Sequence, residues 1–258
     1  MKDTFFYFCI FLNKIFPLSG MPVLLYHQVN DSGSRLSVSP DRFEEQMKYL
    51  HDAGYRAVTP ENLEDFLLHK KPLPKKSIMI TFDDGFLDNH KNALPILKKY
   101  NFNAVFFITT KFIGKKAEYC SEEKDQEMKM MNVDEIRNLY NSGHIIANHL
   151  HSHRNFDQLN ENEISEEYEK SREILSSITG SLNNLDYIAY PRNKKNEKTE
   201  NNFKKIGVLL AFGGNPGIVR KGENQMDMPR IEVFKNDSLL KFKAKLTPFY
   251  YFVKKYLR

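Results

Sequence analysis

The sequence predicts an α/β protein folded as a single (β/α) barrel domain. Strand-like and helix-like segments alternate from about Pro22 onward, which is the pattern of a parallel sheet whose strands are joined by helices. Polar residues suited to chemistry follow several of the strand-like segments, where barrel enzymes carry their active sites. No linker rich in proline, glycine or serine divides the 258 residues, and 41% of them are hydrophobic. One sizeable core is therefore expected.

The expected elements follow one another regularly along the chain. Strands are predicted from short apolar runs at residues 23–26, 56–58, 78–81, 104–108, 145–147, 187–190, 208–212 and 231–234. Four helices are predicted to begin after N-capping residues. Ser39 and Thr59 are each followed directly by proline, and Asn132 and Asn160 are each followed by a glutamate three positions later. Residues 114–131 are a mixed-charge loop, long enough to form a rim element or a lid.

The barrel domain is expected over residues 21–240, with a segment of different character at each end. Residues 1–20 are strongly apolar, with aromatic residues at helical spacing, which predicts a helix lying in a membrane interface. The apolar run is too short to span a bilayer. The other interpretation is a signal peptide cleaved near Ser19-Gly20, for which the charged residues flanking the run are a poor match. Residues 241–258 form a basic aromatic tail. Docking of either end on the barrel exterior is the alternative.

Charge and cysteine content exclude several classes of protein. The net charge of +5 is modest and the lysines are spread over many segments, so nothing resembles a nucleic-acid-binding module. The two cysteines, Cys9 and Cys120, form neither a zinc-ligand spacing nor a disulfide framework.

Two adjacent carboxylates end the strand expected at residues 78–81. Asp83 and Asp84 come directly after this apolar segment and precede Gly85. Neighbouring like charges repel and are costly to desolvate unless a cation lies nearby. Adjacent residues of a strand point in opposite directions, so both carboxylates can serve one site only if the chain turns there. Gly85 permits such a turn.

Histidines cluster after another expected strand. His149, His151 and His153 follow residues 145–147, and His144, which precedes them, is expected to be structural. Two imidazoles and one carboxylate suit a divalent ion and leave positions open for water and substrate. His149 and His153 with one aspartate meet this requirement, and the other aspartate can then act as a general base.

Two further candidates stand at strand ends. His27 follows the first expected strand, and Pro191 follows the strand ending at Tyr190. Because carboxyl ends of barrel strands meet at one rim, these residues are expected to lie near the aspartates and histidines. The combination predicts a metal-dependent hydrolase.

Several of these segments resemble the motifs of a known family. Residues 81–85, Thr-Phe-Asp-Asp-Gly, resemble the first motif of the polysaccharide deacetylases, the NodB-homology domain of carbohydrate esterase family 4. Residues 149–153 resemble the second motif. The resemblance covers about residues 22–233 and is closest to the branch that acts on poly-N-acetylglucosamine, because of residues 23–27, 189–191, 215–217 and 229–231.

The resemblance implies a distorted (β/α) barrel that removes N-acetyl groups with the help of one divalent ion. It implies that Asp83 is the general base and that His27 is the general acid protonating the leaving amine. The implied metal ligands are Asp84, His149 and His153. Zinc is the first expectation for the ion, and iron, cobalt and nickel also suit this set of donors.

The resemblance also points to the substrate pocket. Tyr190 and Pro191 fall where the third motif shapes the acetyl pocket and the oxyanion site, and Arg230 is a candidate for steadying the base. Leu150 stands where the second motif usually has serine or threonine, and Arg154 where proline is common after the second histidine ligand.

The expected function is deacetylation of an N-acetylglucosamine-type sugar in an envelope or extracellular polysaccharide or its lipid-linked precursor. The expected location is the cell envelope, membrane-associated or exported, with peripheral membrane contact through residues 1–20. Two alternatives remain open at this stage. One is a non-catalytic glycan-binding barrel, and the other is an esterase that uses the same metal site on O-acetyl groups of a xylan-type substrate.

Overall fold

A ring of parallel strands lies at the centre of the molecule, for which the computed structural model describes residues 2–16 and 20–256. The strands are β1 (Val23–Tyr26), β2 (Gln28–Val29), β3 (Ser37–Val38), β4 (Arg56–Ala57), β5 (Ser77–Phe82), β6 (Val105–Ile108), β7 (Ile145–Asn148), β8 (Tyr187–Ala189), β9 (Leu210–Pro216) and β10 (Met228–Glu232). Seven of these described strands pair in the order β1–β10–β9–β8–β7–β6–β5, and β5 pairs back to β1. The predicted single-domain (β/α) barrel is therefore confirmed.

Helices surround this ring. They are α1 (Lys2–Ile15), α2 (Pro40–Asp52), α3 (Pro60–Leu68), α4 (Leu94–Lys99), α5 (Glu123–Gln126), α6 (Val133–Asn141), α7 (Glu161–Thr179), α8 (Glu197–Lys205), α9 (Leu239–Lys245) and α10 (Pro248–Tyr256). The caps expected from the sequence form: the side chains of four residues accept a hydrogen bond from the third residue of their helices, namely Ser39, Thr59, Asn132 and Asn160. Such caps satisfy backbone N–H groups that have no partner within a helix.

Strand boundaries differ most from expectation on one side of the barrel. Strand β9 starts and ends later than the predicted residues 208–212, and β10 starts earlier than the predicted residues 231–234. The two strands pair with a register shift between Met228 and Arg230. The glycines and proline at the end of β9 are weak strand formers, so their place in the sheet comes from pairing with β10 and not from local preference. Strand β4 pairs with the beginning of β5, outside the closed ring.

Alternate residues of the strands fill the barrel interior. The inward cluster takes side chains from all seven strands of the ring, among them Val23, Met79, Phe107, Ala147, Ala189, Leu210 and Met228. The side chains between these positions pack against the surrounding helices in two further clusters. This two-residue period determines which residues beyond each strand continue toward the barrel axis.

The two ends of the described chain pack together outside the barrel. Phe6 and Cys9 of α1 are buried against Ala244 of α9 and Tyr250 of α10. The opposite face of α1 exposes large apolar side chains, namely Tyr7, Phe8, Phe11 and Ile15. Among the described residues, no helix has the length and apolar character needed to cross a bilayer. Ser19, part of the considered processing site, lies outside the described residues.

Candidate metal centre and active site

The two adjacent aspartates stand where β5 leaves the barrel. Strand β5 is buried along its whole length, and Asp83 and Asp84 are also buried, with 3% and 4% exposure. The chain turns here as the sequence analysis required, with Asp84 at φ 75° and Gly85 at φ 95°. A side chain at Gly85 would meet Ile108 Cδ1 at 3.0 Å, so both its backbone conformation and its surroundings favour glycine.

The two expected histidine ligands come from the loop that follows β7. His149 continues the inward face of β7, and the loop brings His153 back toward it through left-handed conformations at Leu150 (φ 66°) and His153 (φ 60°). Non-glycine residues adopt this region only when their surroundings hold them there. Leu150 is fully buried in the apolar cluster outside β8, which accounts for an apolar side chain at this position of the loop.

Glu167 of α7 holds this loop in place. Its carboxylate accepts hydrogen bonds from the backbone N–H groups of His151 (3.1 Å) and Ser152 (2.7 Å), and from the Ser152 hydroxyl. The side chain of His151 points to the rim instead, with Nδ1 2.9 Å from Thr110 Oγ1. His151 thus belongs to the loop that carries His149 and His153 but is not one of the three clustered donors.

Three side chains converge on one point at the rim. Asp84, His149 and His153 are buried, and their ligand atoms all lie within 4.8 Å of one another. Asp84 Oδ1 lies 3.4 Å from His149 Nε2 and 3.2 Å from His153 Nε2, without forming a hydrogen bond to either. Donors about 2.0–2.1 Å from one tetrahedral ion are about 3.3–3.4 Å apart, so the three groups fit a divalent ion such as zinc.

Protonation of the three groups also suits an ion. His149 Nδ1 lies 2.8 Å from the Ala189 carbonyl oxygen, which can only accept, so Nδ1 carries a proton and Nε2 is the nitrogen directed at Asp84. Burial acts to raise the pKa of Asp84, but the two histidines outweigh it and hold that pKa well below its usual range. Asp84 is therefore ionised at neutral pH, the form in which a carboxylate binds a cation.

The second aspartate is paired with an arginine from across the ring. Arg230 donates from Nη1 and Nη2 to the two oxygens of Asp83, at 2.7 and 2.8 Å, and from Nε to the Gly213 carbonyl at 2.7 Å. Arg230 is 2% exposed, and its guanidinium lies 5.7 Å from the centre of the Phe107 ring in the barrel interior. Burial would raise the pKa of Asp83, but Arg230, His149 and His27 together lower it.

His27 lies on the same side of the barrel as the two aspartates. It follows β1, which pairs with β5 on one side and with β10 on the other, and it lines the cavity that contains Asp83 and Asp84. The Asn89 side chain donates to the His27 carbonyl at 2.8 Å, and Asp88 accepts from Val29 N at 2.9 Å. The residues that follow the aspartates therefore hold the segment that carries the histidine.

Of the two residues expected at the substrate pocket, Tyr190 lines the cavity and Pro191 does not. The Tyr190 ring belongs to the apolar cluster outside β8, and its hydroxyl donates to the Met226 carbonyl at 3.0 Å. Its backbone N–H donates to Phe212 O at 3.0 Å, so neither donor of Tyr190 is free. Tyr190 lines the edge of the cavity, whereas Pro191 is buried and begins a one-turn 3₁₀ helix.

A cavity of about 350 Å³ opens above these groups. This volume is at the lower end for small-molecule sites, and it has room for one sugar-sized group. One of its walls is the rim loop, which we define as residues 114–131. Antiparallel bridges pair Lys116 with Lys129 and Phe86 with Met130, so the segment predicted as a rim element or lid is a hydrogen-bonded rim element.

Two supporting residues were not singled out from the sequence. Glu167 is one of several glutamates on α7, and Asn89 lies past the Asp-Asp motif. Each acts on a residue distant in sequence or through a backbone carbonyl, so no local pattern marks them. The candidate residues themselves were recognisable because they follow strands.

The fold and the site together define a class of protein: a parallel (β/α) barrel with a buried Asp-His-His group that could hold a metal ion, beside an ion-paired carboxylate. Comparison with known proteins agrees with this class. The model of the polysaccharide deacetylase family matches residues 70–211. A putative polysaccharide deacetylase of Bacillus subtilis, YxkH, is 30% identical over 213 residues, which cover 83% of this chain and 71% of that protein.

Two further proteins are similar over most of the chain. The poly-beta-1,6-N-acetyl-D-glucosamine N-deacetylase of Staphylococcus aureus is 31% identical over 208 residues, 76% of this chain and 67% of that enzyme. The structure of IcaB from Ammonifex degensii superposes with a TM-score of 0.77 at 28% identity, covering 89% of this chain and 97% of IcaB. The chain belongs to the polysaccharide deacetylase family.

Proposed function

We propose that this protein is a metal-dependent hydrolase that removes N-acetyl groups from N-acetylglucosamine units of a polysaccharide. The observation that carries the proposal is the buried cluster of Asp84, His149 and His153 next to Asp83 and Arg230. Family membership supports the reaction class, and the name of the Staphylococcus aureus relative supports the type of sugar.

The ion would be held by Asp84, His149 and His153. A divalent ion bound there supplies a Lewis acid that polarises the acetyl carbonyl and lowers the pKa of a water in the site toward about 7. Zinc is our first choice because the separations of the donor atoms match tetrahedral coordination. Two imidazoles and a carboxylate also suit iron, cobalt or nickel.

The residues beside the metal ligands have proposed roles in proton transfer. Asp83 accepts the proton of the attacking water as general base, since Arg230 keeps its carboxylate ionised and fixed in orientation. His27 donates a proton to the sugar nitrogen as the C–N bond breaks, so that the products are acetate and a free amine. His27 suits this role because it lies at the cavity and is only partly buried.

The oxyanion that forms on the acetyl group needs a hydrogen-bond donor. The Arg192 N–H stands at the start of the one-turn 3₁₀ helix and has no acceptor among the described residues, and Arg192 lines the cavity. An unpaired N–H at a helix start is suited to a developing negative charge. We therefore assign the donor to Arg192 N–H, with Tyr190 forming part of the wall beside it and Pro191 beginning the turn that carries it.

Acetate release tests the proposed reaction. Purified full-length protein should release acetate from N-acetylglucosamine oligomers, should lose this activity with a chelator, and should regain it with zinc. An acetylated xylan serves as the comparison substrate. Release from the xylan alone would contradict the amide specificity, and glycan binding without any acetate release would contradict the enzymatic role.

Substitution of the proposed base separates chemistry from metal binding. Asp83→Asn should lower turnover by at least about 100-fold, because a carboxamide cannot accept the proton, while zinc content stays near that of the wild type. Asp134→Asn is the matched control, since Asp134 lies on the surface with 88% side-chain exposure. Turnover of Asp83→Asn at the rate of the wild type would show that another group is the base.

We further propose that the protein works at the cell envelope, with the exposed face of α1 touching a membrane surface. Phe8 and Phe11 are 51% and 58% exposed on this face, and the exposed Lys14 and Lys254 lie on α1 and α10. Aromatic side chains with nearby lysines suit the interface of an anionic bilayer. In this proposal, residues 21–240 are the catalytic domain and the terminal segments hold it near its glycan.

A further inference from the structure

The two imidazoles of the candidate metal centre are held in different ways. His149 donates from Nδ1 to the Ala189 carbonyl, which fixes the orientation of its ring. His153 Nδ1 is buried and forms no hydrogen bond with any described residue. Histidines that bind metals usually have the second ring nitrogen hydrogen-bonded, and this contact orients the ring. The orientation of His153 must therefore depend on packing.

An aromatic ring from the rim loop packs against His153. The centroid of the Tyr119 ring lies 4.1 Å from that of His153, with 35° between the two planes. Tyr119 also contacts Phe112, at 4.7 Å between ring centroids. The Tyr119 hydroxyl is buried and forms no hydrogen bond of good geometry with any described residue, but it lies near Asp84, and burial together with the Asp84 carboxylate raises its pKa. Tyr119 therefore faces two of the candidate ligands, with its ring against His153 and its hydroxyl beside Asp84.

Tyr119 itself is held by the surrounding structure. Arg192 donates from Nη2 to the Tyr119 carbonyl at 2.6 Å, and the backbone N–H of Cys120 donates to Ala117 O at 2.9 Å. At its end the rim loop is joined to the turn of the metal ligand Asp84, because Met131 N donates to Gly85 O at 3.0 Å. A ring anchored in this way can restrict the rotation of a neighbouring imidazole.

We propose that Tyr119 is a positioning residue of the metal centre. Its ring packs against His153 and keeps Nε2 of that histidine directed at Asp84, as the Ala189 carbonyl does for His149. The rim loop is then part of the metal site as well as a wall of the cavity. This inference rests on the metal centre of the proposed function, but it does not depend on the identity of the glycan.

Zinc affinity of the purified full-length protein tests this role without substrate. Competition with a chromogenic chelator should show that Tyr119→Phe, which keeps the ring, binds zinc as tightly as the wild type. Tyr119→Leu, which removes the ring, should bind zinc about 10–100-fold more weakly. Retention by the phenylalanine variant distinguishes ring packing from any role of the hydroxyl.

A matched control addresses the stability of the rim loop. Met130→Ala removes a buried apolar side chain from the same loop, in the cluster with Phe86 and Phe112, and should leave zinc affinity unchanged. The proposal is overturned if Tyr119→Leu binds zinc like the wild type, if Tyr119→Phe loses as much affinity as Tyr119→Leu, or if Met130→Ala loses as much. Should Tyr119→Leu fail to fold, Tyr119→Met takes its place with the same expectation.

The outcomes also separate this proposal from the proposed function. A wild type that binds zinc but releases no acetate would contradict the deacetylase activity, and the affinities of the variants would still decide the role of Tyr119. A wild type that binds no zinc would overturn the metal centre and the role of Tyr119 together. Active wild type with equal zinc affinity in all variants would overturn the role of Tyr119 alone.

Discussion

At the scale of single residues, the site is an arrangement of buried charges that compensate one another. Asp83 and Asp84 are neighbours in the chain, but Asp83 is paired with Arg230 and Asp84 faces two imidazoles. Because removal of one member leaves its partner buried and uncompensated, the charges depend on one another. The lowered pKa of Asp83 follows from this pairing, since burial alone would raise it.

Removal of Arg230 should change how activity depends on pH. A general base acts when it is ionised, so a carboxylate with a lowered pKa stays active further into the acid range. In Arg230→Gln the burial of Asp83 is no longer offset by the guanidinium, and the acid limb of the kcat/KM profile should move to higher pH. Arg35→Gln, at the exposed rim of the cavity, is the control. An acid limb that does not move would contradict the assigned role of the ion pair.

His144 should make stability depend on pH. It is buried, its Nδ1 accepts from Ala104 N at 3.2 Å, and burial lowers its pKa to about 4. In the unfolded chain the pKa of this histidine is about 6.5, so between pH 6.5 and 4 the unfolded chain binds a proton more readily than the folded one. The free energy of unfolding therefore falls as the pH drops from 6.5 toward 4. At pH 5 the loss from this group should be about 2 kcal/mol relative to pH 7.

Urea unfolding at pH 7 and pH 5 measures this effect. His144→Asn keeps an acceptor for Ala104 N but cannot titrate, so its free energy of unfolding should fall less than that of the wild type over this range. An equal fall in both proteins would show that His144 is not the group responsible. The structural role expected for His144 agrees with its burial and its backbone contact.

At the scale of elements, the site depends on turns that the neighbouring helices and loops hold in place. The turn after β5 has Asp84 and Gly85 at positive φ, and the loop after β7 has Leu150 and His153 there. Sequence patterns predicted the strands and the need for a turn after Asp83, because these follow from residues close in the chain. The route of the loop from His149 to His153 could not be predicted, because it depends on the carboxylate of Glu167 on α7.

Glu167 should therefore contribute to metal binding without being a ligand. Glu167→Met keeps the length of the side chain but removes both acceptor oxygens, so the N–H groups of His151 and Ser152 lose their partner. Zinc affinity should fall by about 10-fold or more, as is usual for residues that orient metal ligands. Ser152→Ala, which removes only the hydroxyl contact, should lose less. Unchanged affinity in Glu167→Met, measured by chelator competition, would contradict this role.

At the scale of the whole molecule, closure of the barrel assembles the site. Strand β1 lies between β5 and β10, so His27, Asp83 and Arg230 come from three strands that are adjacent in the ring. Strand β7 supplies the histidines from the far side of β6. The family motifs named these residues individually, and the ring explains how residues so distant in the chain reach one cavity.

The exposed face of α1 predicts binding to vesicles. The double substitution Phe8→Ser and Phe11→Ser removes two large apolar side chains from this face, and it should lower partition onto anionic phosphatidylglycerol vesicles by at least about 10-fold. Sedimentation with vesicles measures the effect. Leu182→Ser, which removes an equally exposed apolar residue elsewhere, should change nothing. Equal partition of the wild type and the double variant would contradict membrane contact through α1. If the wild type were a dimer and the double variant a monomer, a second copy of the chain would be the partner of this face instead.

The sequence by itself determined the class of fold, the order of the barrel strands and the chemical groups at the strand ends, because these depend on residues close together in the chain. Only the tertiary structure decided how those groups pair. Arg230 donates to Asp83 from 147 positions further along the chain, and Tyr119 packs against His153 from an irregular loop. Such contacts depend on the register of strands around a closed ring and on the path of the loops between them. No local sequence pattern encodes either.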